Sequence, residues 1–152
     1  MFTSRAKRWL LAFAATALIV AAVPGASLAS SDGCSTVVVY GAGFANCVHI
    51  DGGGLWVNYA RVSADLPLQG NTFPSFVGCQ AHVEFYNKLG GRNKRDWNSP
   101  TVDCGVFNAA GRAAIISLNQ AVPAGKYCGR VWISNNGKGY KAAAPACMKI
   151  KR

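Results

Sequence analysis

A single antiparallel all-β domain, a sandwich or small barrel of about eight short strands stapled by three disulfides, is the fold this 152-residue sequence predicts. Three observations carry it. Short runs of alternating or β-branched residues recur along the chain, each bounded by Gly, Pro or Asn. No stretch shows the apolar period of a convincing helix. Six cysteines, an even number, follow an export-type leader, the setting in which cysteines pair.

That leader comes first in the chain. "MFTSRAKRW" is a basic start carrying Arg5, Lys7 and Arg8, followed by the fourteen-residue apolar run "LLAFAATALIVAAV" and a break at Pro24 and Gly25. Fourteen helical residues span about 21 Å, short of a hydrocarbon core of about 30 Å, so the run is too short for an anchor. Ser27 and Ala29 have the spacing that signal peptidase accepts. Residues 1–29 are read as a secretory signal peptide, and residues 30–152 as one secreted β domain with no membrane attachment after cleavage.

The strands then follow in order. "STVVVY" is a β-branched run ended by "GAG" (Gly41 to Gly43), and "FANCVHI" alternates until "DGGG" (Asp51 to Gly54) turns the chain into "LWVNYARV". "CQAHVEFYN" alternates cleanly, with Cys79, Ala81, Val83 and Phe85 inward and Gln80, His82, Glu84 and Tyr86 outward. "TVDCGVF" and "AAIISL" read as two more strands. "YCGRVWIS" and "YKAAAPACMKI" form the last hairpin around "NNGKG", with Tyr127, Val131, Ile133, Met148 and Ile150 inward.

Hairpin symmetry ranks the disulfides. A hairpin turning near Gly137 sets Cys128 against Cys147, and one turning near Gly90 and Gly91 sets Cys79 against Cys104. A turn centred on Ala42 would set Cys47 opposite Val37, so Cys34–Cys47 is assigned by elimination. A metal site is not expected, since no C-x-x-C pair exists and the two histidines are not clustered with the cysteines. No cofactor is expected either.

After the leader, thirteen Lys and Arg face six acids, and from Arg112 to Arg152 there are eight bases and no acid. Such a balance favours anionic partners. Two candidate partner-binding surfaces follow. The stretch "KLGGRNKRDW" is expected at the end of a ribbon arm stapled by Cys79–Cys104. It presents Lys88, Arg92, Lys94 and Arg95, with Trp97 opposite Tyr86 beneath them. The outward face of the last hairpin carries Arg130, Trp132 and Lys149, with Lys151 beyond.

Groups suited to proton transfer are few. His82 and Glu84 share the outward face of one strand, and hairpin symmetry sets Asp103 opposite Gln80 beside them. Such a cluster would suit a small secreted hydrolase or nuclease, but no nucleophile motif supports it, and a non-enzymatic role is expected. An exported, disulfide-dense chain seldom meets its cell's nucleic acid, so nucleic acid is not the expected partner. Stapled loops on a rigid scaffold would also suit a hydrolase inhibitor.

The pattern "AGKYCGRVW…GYKAAAPACMKI" and the earlier "FANCVHI" resemble small secreted actinobacterial proteins with three disulfides on an all-β body. Within that group the basic, compact character is similar to the adaptor subunits of umbrella-type antibacterial toxin particles. The resemblance implies a bridging role between an acidic stalk of a larger toxin chain and a lectin-like subunit. The expected function is therefore that of a secreted basic adaptor for acidic extracellular proteins.

Overall fold

The computed structural model describes residues 31–65, 73–74, 76–88, 95–136 and 139–152. Residues 1–29, read above as a signal peptide, and Gly90, Gly91, Arg92, Lys94 and Gly137 lie outside the described residues. The elements are β1 (Ser31–Val39), β2 (Ala42–Gly53), β3 (Trp56–Asp65), β4 (Cys79–Asn87), β5 (Asp96–Asn98), β6 (Val102–Asp103), α1 (Cys104–Ala109), β7 (Ala113–Ala121), β8 (Gly125–Asn135), β9 (Tyr140–Ala142) and β10 (Ala146–Ile150). They form two antiparallel sheets. One runs β1-β2-β3-β7; the other runs β10-β8-β4-β5, with β6 on β4 and β9 on β8.

Alternation decides which residues lie between the sheets. Phe44, Val48, Ile50 and Val62 from the first sheet are buried in one core with Val83, Phe85, Val131 and Ile133 from the second. Phe73 and Phe107 close one end of this core, their rings 5.2 Å apart. The sheets approach closely at Gly129, where an added Cβ would lie 2.7 Å from Val62 Cγ2 and 2.9 Å from Val48 Cγ2. Only a residue without a side chain fits between those two valines and β8.

One polar side chain sits inside this apolar layer. Asn46 is fully buried, and its amide donates to the Gly129 and Ala144 carbonyls at 2.9 and 3.0 Å. Its oxygen accepts the Val131 N–H at 3.2 Å. The cause lies in β10: residues 143–145 separate it from β9, so the ladder along β8 is interrupted beside Val131. Asn46 reaches across from the other sheet to fill that gap.

All three disulfides take the pairings read from the sequence, Cys34–Cys47, Cys79–Cys104 and Cys128–Cys147. The first corrects the expected turn. Tyr40 and Gly41, both with positive φ (50° and 80°), make a two-residue turn that sets Cys34 directly opposite Cys47 and Val37 opposite Phe44. The segment "TVDCGVF" is likewise not one strand: Asp103 accepts the Gly105 N–H at 2.7 Å and caps α1. "YKAAAPACMKI" divides into β9 and β10.

The stapled ribbon differs most. From Cys79 to Asn87, β4 is paired along its whole length with β8, so it is an interior strand rather than a projecting arm. Its pairing also slips by one residue between β6 and β5, from Gln80↔Asp103 to Phe85↔Trp97. Trp97 therefore faces Phe85, with ring centroids 5.7 Å apart, and not Tyr86. A one-residue slip moves a side chain to the other face, which packs Trp97 against the core.

Candidate functional site

The outer face of the second sheet collects the chemistry. β4 contributes Gln80, His82, Glu84 and Tyr86; β8 contributes Lys126, Arg130 and Trp132; Asn98, Tyr140 and Lys149 come from β5, β9 and β10. Glu84 stands opposite Arg130, and His82 opposite Trp132.

At the centre is a buried carboxylate. Glu84 is 5% exposed, and its Oε2 accepts from Arg130 Nε at 2.6 Å and from Trp132 Nε1 at 2.7 Å. The Arg130 guanidinium lies 4.4 Å from the Trp132 ring centroid and 5.1 Å from that of Tyr86. The ion pair and two ring contacts hold the guanidinium in place, and the Arg130 charge is matched locally. Arg130 and Trp132 thus occupy the face the sequence expected but are bound to Glu84.

Next to this group lies an open cleft lined by His82, Glu84, Asn98, Trp132 and Tyr140. The His82 ring lies nearly parallel to Trp132, 11° and 6.0 Å away, and meets Tyr140 edge-on at 4.8 Å. Tyr140 in turn donates its hydroxyl to Gln80 Oε1 at 3.1 Å. Burial pushes the His82 imidazole below its ordinary value, an effect the Glu84 carboxylate partly offsets. His82 Nδ1 is buried without a hydrogen-bond partner.

Asp103 stands opposite Gln80 as expected, but its carboxylate is taken by the N-terminus of α1. Among the described residues, no group of three or more His, Cys, Asp or Glu is placed to hold a metal. Glu84 Oε2 is already engaged by the Arg130 guanidinium and the Trp132 indole N–H.

The second feature is a row of lysines at one end of the same face. Lys149 on β10 is directly opposite Lys126 on β8, and the Lys88 N–H donates to the Lys126 carbonyl at 2.7 Å. Strand alternation carries Lys88 to the side of Tyr86, and Lys126 and Lys149 to the side of Cys128 and Cys147. Three exposed lysines therefore stand side by side across three neighbouring strands, at the strand spacing of about 4.8 Å. None of them forms an ion pair among the described residues.

Comparison with protein-family models, curated proteins and solved structures returned no match.

Of the eight residues expected to bind a partner, the structure brings Lys88 and Lys149 into the lysine row. Arg130 and Trp132 lie on the same face. Arg95 is exposed at the start of the return strand, with its N–H held by Asn87 Oδ1 at 2.7 Å. Trp97 is turned toward the core. Lys126, which links Lys88 to Lys149, was missed, although the hairpin symmetry that opposes Cys128 and Cys147 also opposes Lys126 and Lys149; only its place beside Lys88, made between β4 and β8, leaves no local signal.

Proposed function

We propose that this chain is a secreted, non-enzymatic binding protein that docks an acidic extracellular protein on the outer face of its second sheet. The observation that carries the reading is the lysine row. Like charges directly opposite on neighbouring strands repel, and here three stand together with no carboxylate between them. An anionic partner would relieve that repulsion and be drawn to it from a distance.

The neighbouring group fits the same role. Arg130, Trp132, Tyr86 and Glu84 form a rigid, internally matched platform beside the row, so the lysines are held on an ordered surface. In this reading the partner is of the kind the sequence resemblance implies: an acidic stalk of a larger toxin chain, bridged by this adaptor to a lectin-like subunit.

The test uses poly-glutamate as the acidic probe. Lys88, Lys126 and Lys149 are replaced together by serine and compared with a control in which Arg61, Lys141 and Arg152 are replaced. Both variants lose three positive charges. The proposal expects the first to bind poly-glutamate at least about tenfold more weakly than the control, with a smaller dependence on salt. Equal loss in the two variants would mean that total charge alone governs binding, and the site would be wrong.

A further inference from the structure

The two sheets have four edges, and three of them are protected. At one side β1 and β10 close on each other: a Cβ on Gly33 would lie 2.7 Å from the Cys147 carbonyl oxygen, and Ser35 Oγ donates to the Ala144 carbonyl at 2.7 Å. On the far side of the second sheet the edge is cut into β5 and β6, three and two residues long, with Pro100 between them. Short strands and proline are common devices for blunting an edge.

β7 has none of these protections. It is nine residues long, pairs with β3 only, and presents its other edge without a partner among the described residues. Every residue from Ala113 to Gly125 is uncharged. Its pairing with β3 is regular from Ala113 to Ser117, and the register shifts before Gln120, where Asn119 has a φ of 47°. On its outer face Ile115 is 60% exposed. A long, neutral edge with an exposed β-branched residue is a template for another strand.

Electrostatics indicate which strand. An acidic partner would be drawn to the lysine row and gains nothing from a neutral strand. Two copies of this positively charged chain repel where their lysines and arginines face each other, and β7 is an edge without charge on which they can meet. We propose that two copies associate through β7, antiparallel about a two-fold axis, to form one continuous eight-stranded sheet from the two four-stranded ones.

Symmetry restricts the register. Paired residues must share a face, so the axis passes through a residue rather than between two. Centring it on Ile115 sets that side chain against its own symmetry mate, pairs Ala113 with Ser117, and leaves the register shift before Gln120 outside the ladder. The nearest charged neighbour on that face is Arg61, opposite Ile115 on β3. Its symmetry mate would be three strand spacings away, about 14 Å, beyond a Debye length of about 8 Å.

The experiment is sedimentation equilibrium of the processed, disulfide-bonded protein over a wide concentration range, with two variants. Wild type and Ile115→Val are expected to dimerise reversibly. Ile115→Lys, which places two like charges directly opposite, is expected to weaken association at least about tenfold. In parallel, amide hydrogen exchange of wild-type residues 113–117 should slow as concentration rises, a readout that does not depend on how any variant folds. A wild type that stays monomeric throughout would overturn the proposal. So would an Ile115→Lys dimer as tight as wild type, or exchange in β7 that ignores concentration.

Discussion

Replacing Asn46 probes how the two sheets are held together. This side chain is fully buried and makes three hydrogen bonds, to Gly129, Val131 and Ala144. The three are not equal. Ala144 keeps Ser35 Oγ as a donor at 2.7 Å, whereas the Val131 N–H points to the interrupted stretch between β9 and β10, where only Asn46 meets it. Asn46→Ala therefore orphans one buried donor, at about 1–3 kcal/mol, and removes two further bonds worth roughly 0.5–1.5 kcal/mol each in net terms. A destabilisation of about 2–6 kcal/mol is expected. Asn46→Leu refills the volume without restoring the acceptor and should lose a comparable amount. The assay is urea unfolding with the disulfides intact, read as a shift in midpoint at constant slope. If Asn46→Leu unfolds within about 0.5 kcal/mol of wild type, the amide is not the bridge described here.

Other outcomes follow from the outer face. Arg130→Ala leaves the Glu84 carboxylate buried without its guanidinium and should cost about 2–4 kcal/mol, while adding Glu84→Gln to the same chain should restore part of the loss in a double-mutant cycle. His82 is held below its ordinary value by burial, so the unfolded chain takes up a proton more readily than the folded one. The stability that His82 contributes is fully present above the unfolded value of about 6.5 and is lost as pH falls through the lower, folded one. Wild type should therefore show a steeper fall in melting temperature below that pH than His82→Gln, in scans at closely spaced pH. Lys126→Ser removes the central charge of the row and should raise stability at low ionic strength by roughly 0.5 kcal/mol, a gain that vanishes in high salt.

Much of this architecture could be read from local pattern. Alternation along "CQAHVEFYN" assigned the two faces of β4, but not the burial of Glu84 and Tyr86 on the outer one, which are covered by residues of β8. Hairpin symmetry found Cys79–Cys104 and Cys128–Cys147, since a disulfide between directly opposed strands depends only on where the turn lies. The same rule misplaced the turn before Cys47, because it gave the bend to "GAG" when Tyr40 adopts a left-handed conformation beside Gly41.

What stayed hidden depends on pairing between strands far apart in sequence. Nothing local says that β8 lies along β4, and that pairing is what places Lys126 beside Lys88, Arg130 beside Glu84, and Trp132 beside His82. The slip that turns Trp97 inward is a non-local effect too, made between β6 and β5 on the same partner strand. α1 was foreshadowed only by Asp103, a residue type that caps helices, in a stretch too short to show a helical period.

Lysine acetylation footprinting with and without an acidic polypeptide such as poly-glutamate reads the docking face residue by residue. Mass spectrometry should show protection concentrated at Lys88, Lys126 and Lys149, with Lys141 modified as fast as in the free protein. Protection spread evenly over these four lysines, or centred on Lys141, would contradict an anion-docking face on the outer side of the second sheet.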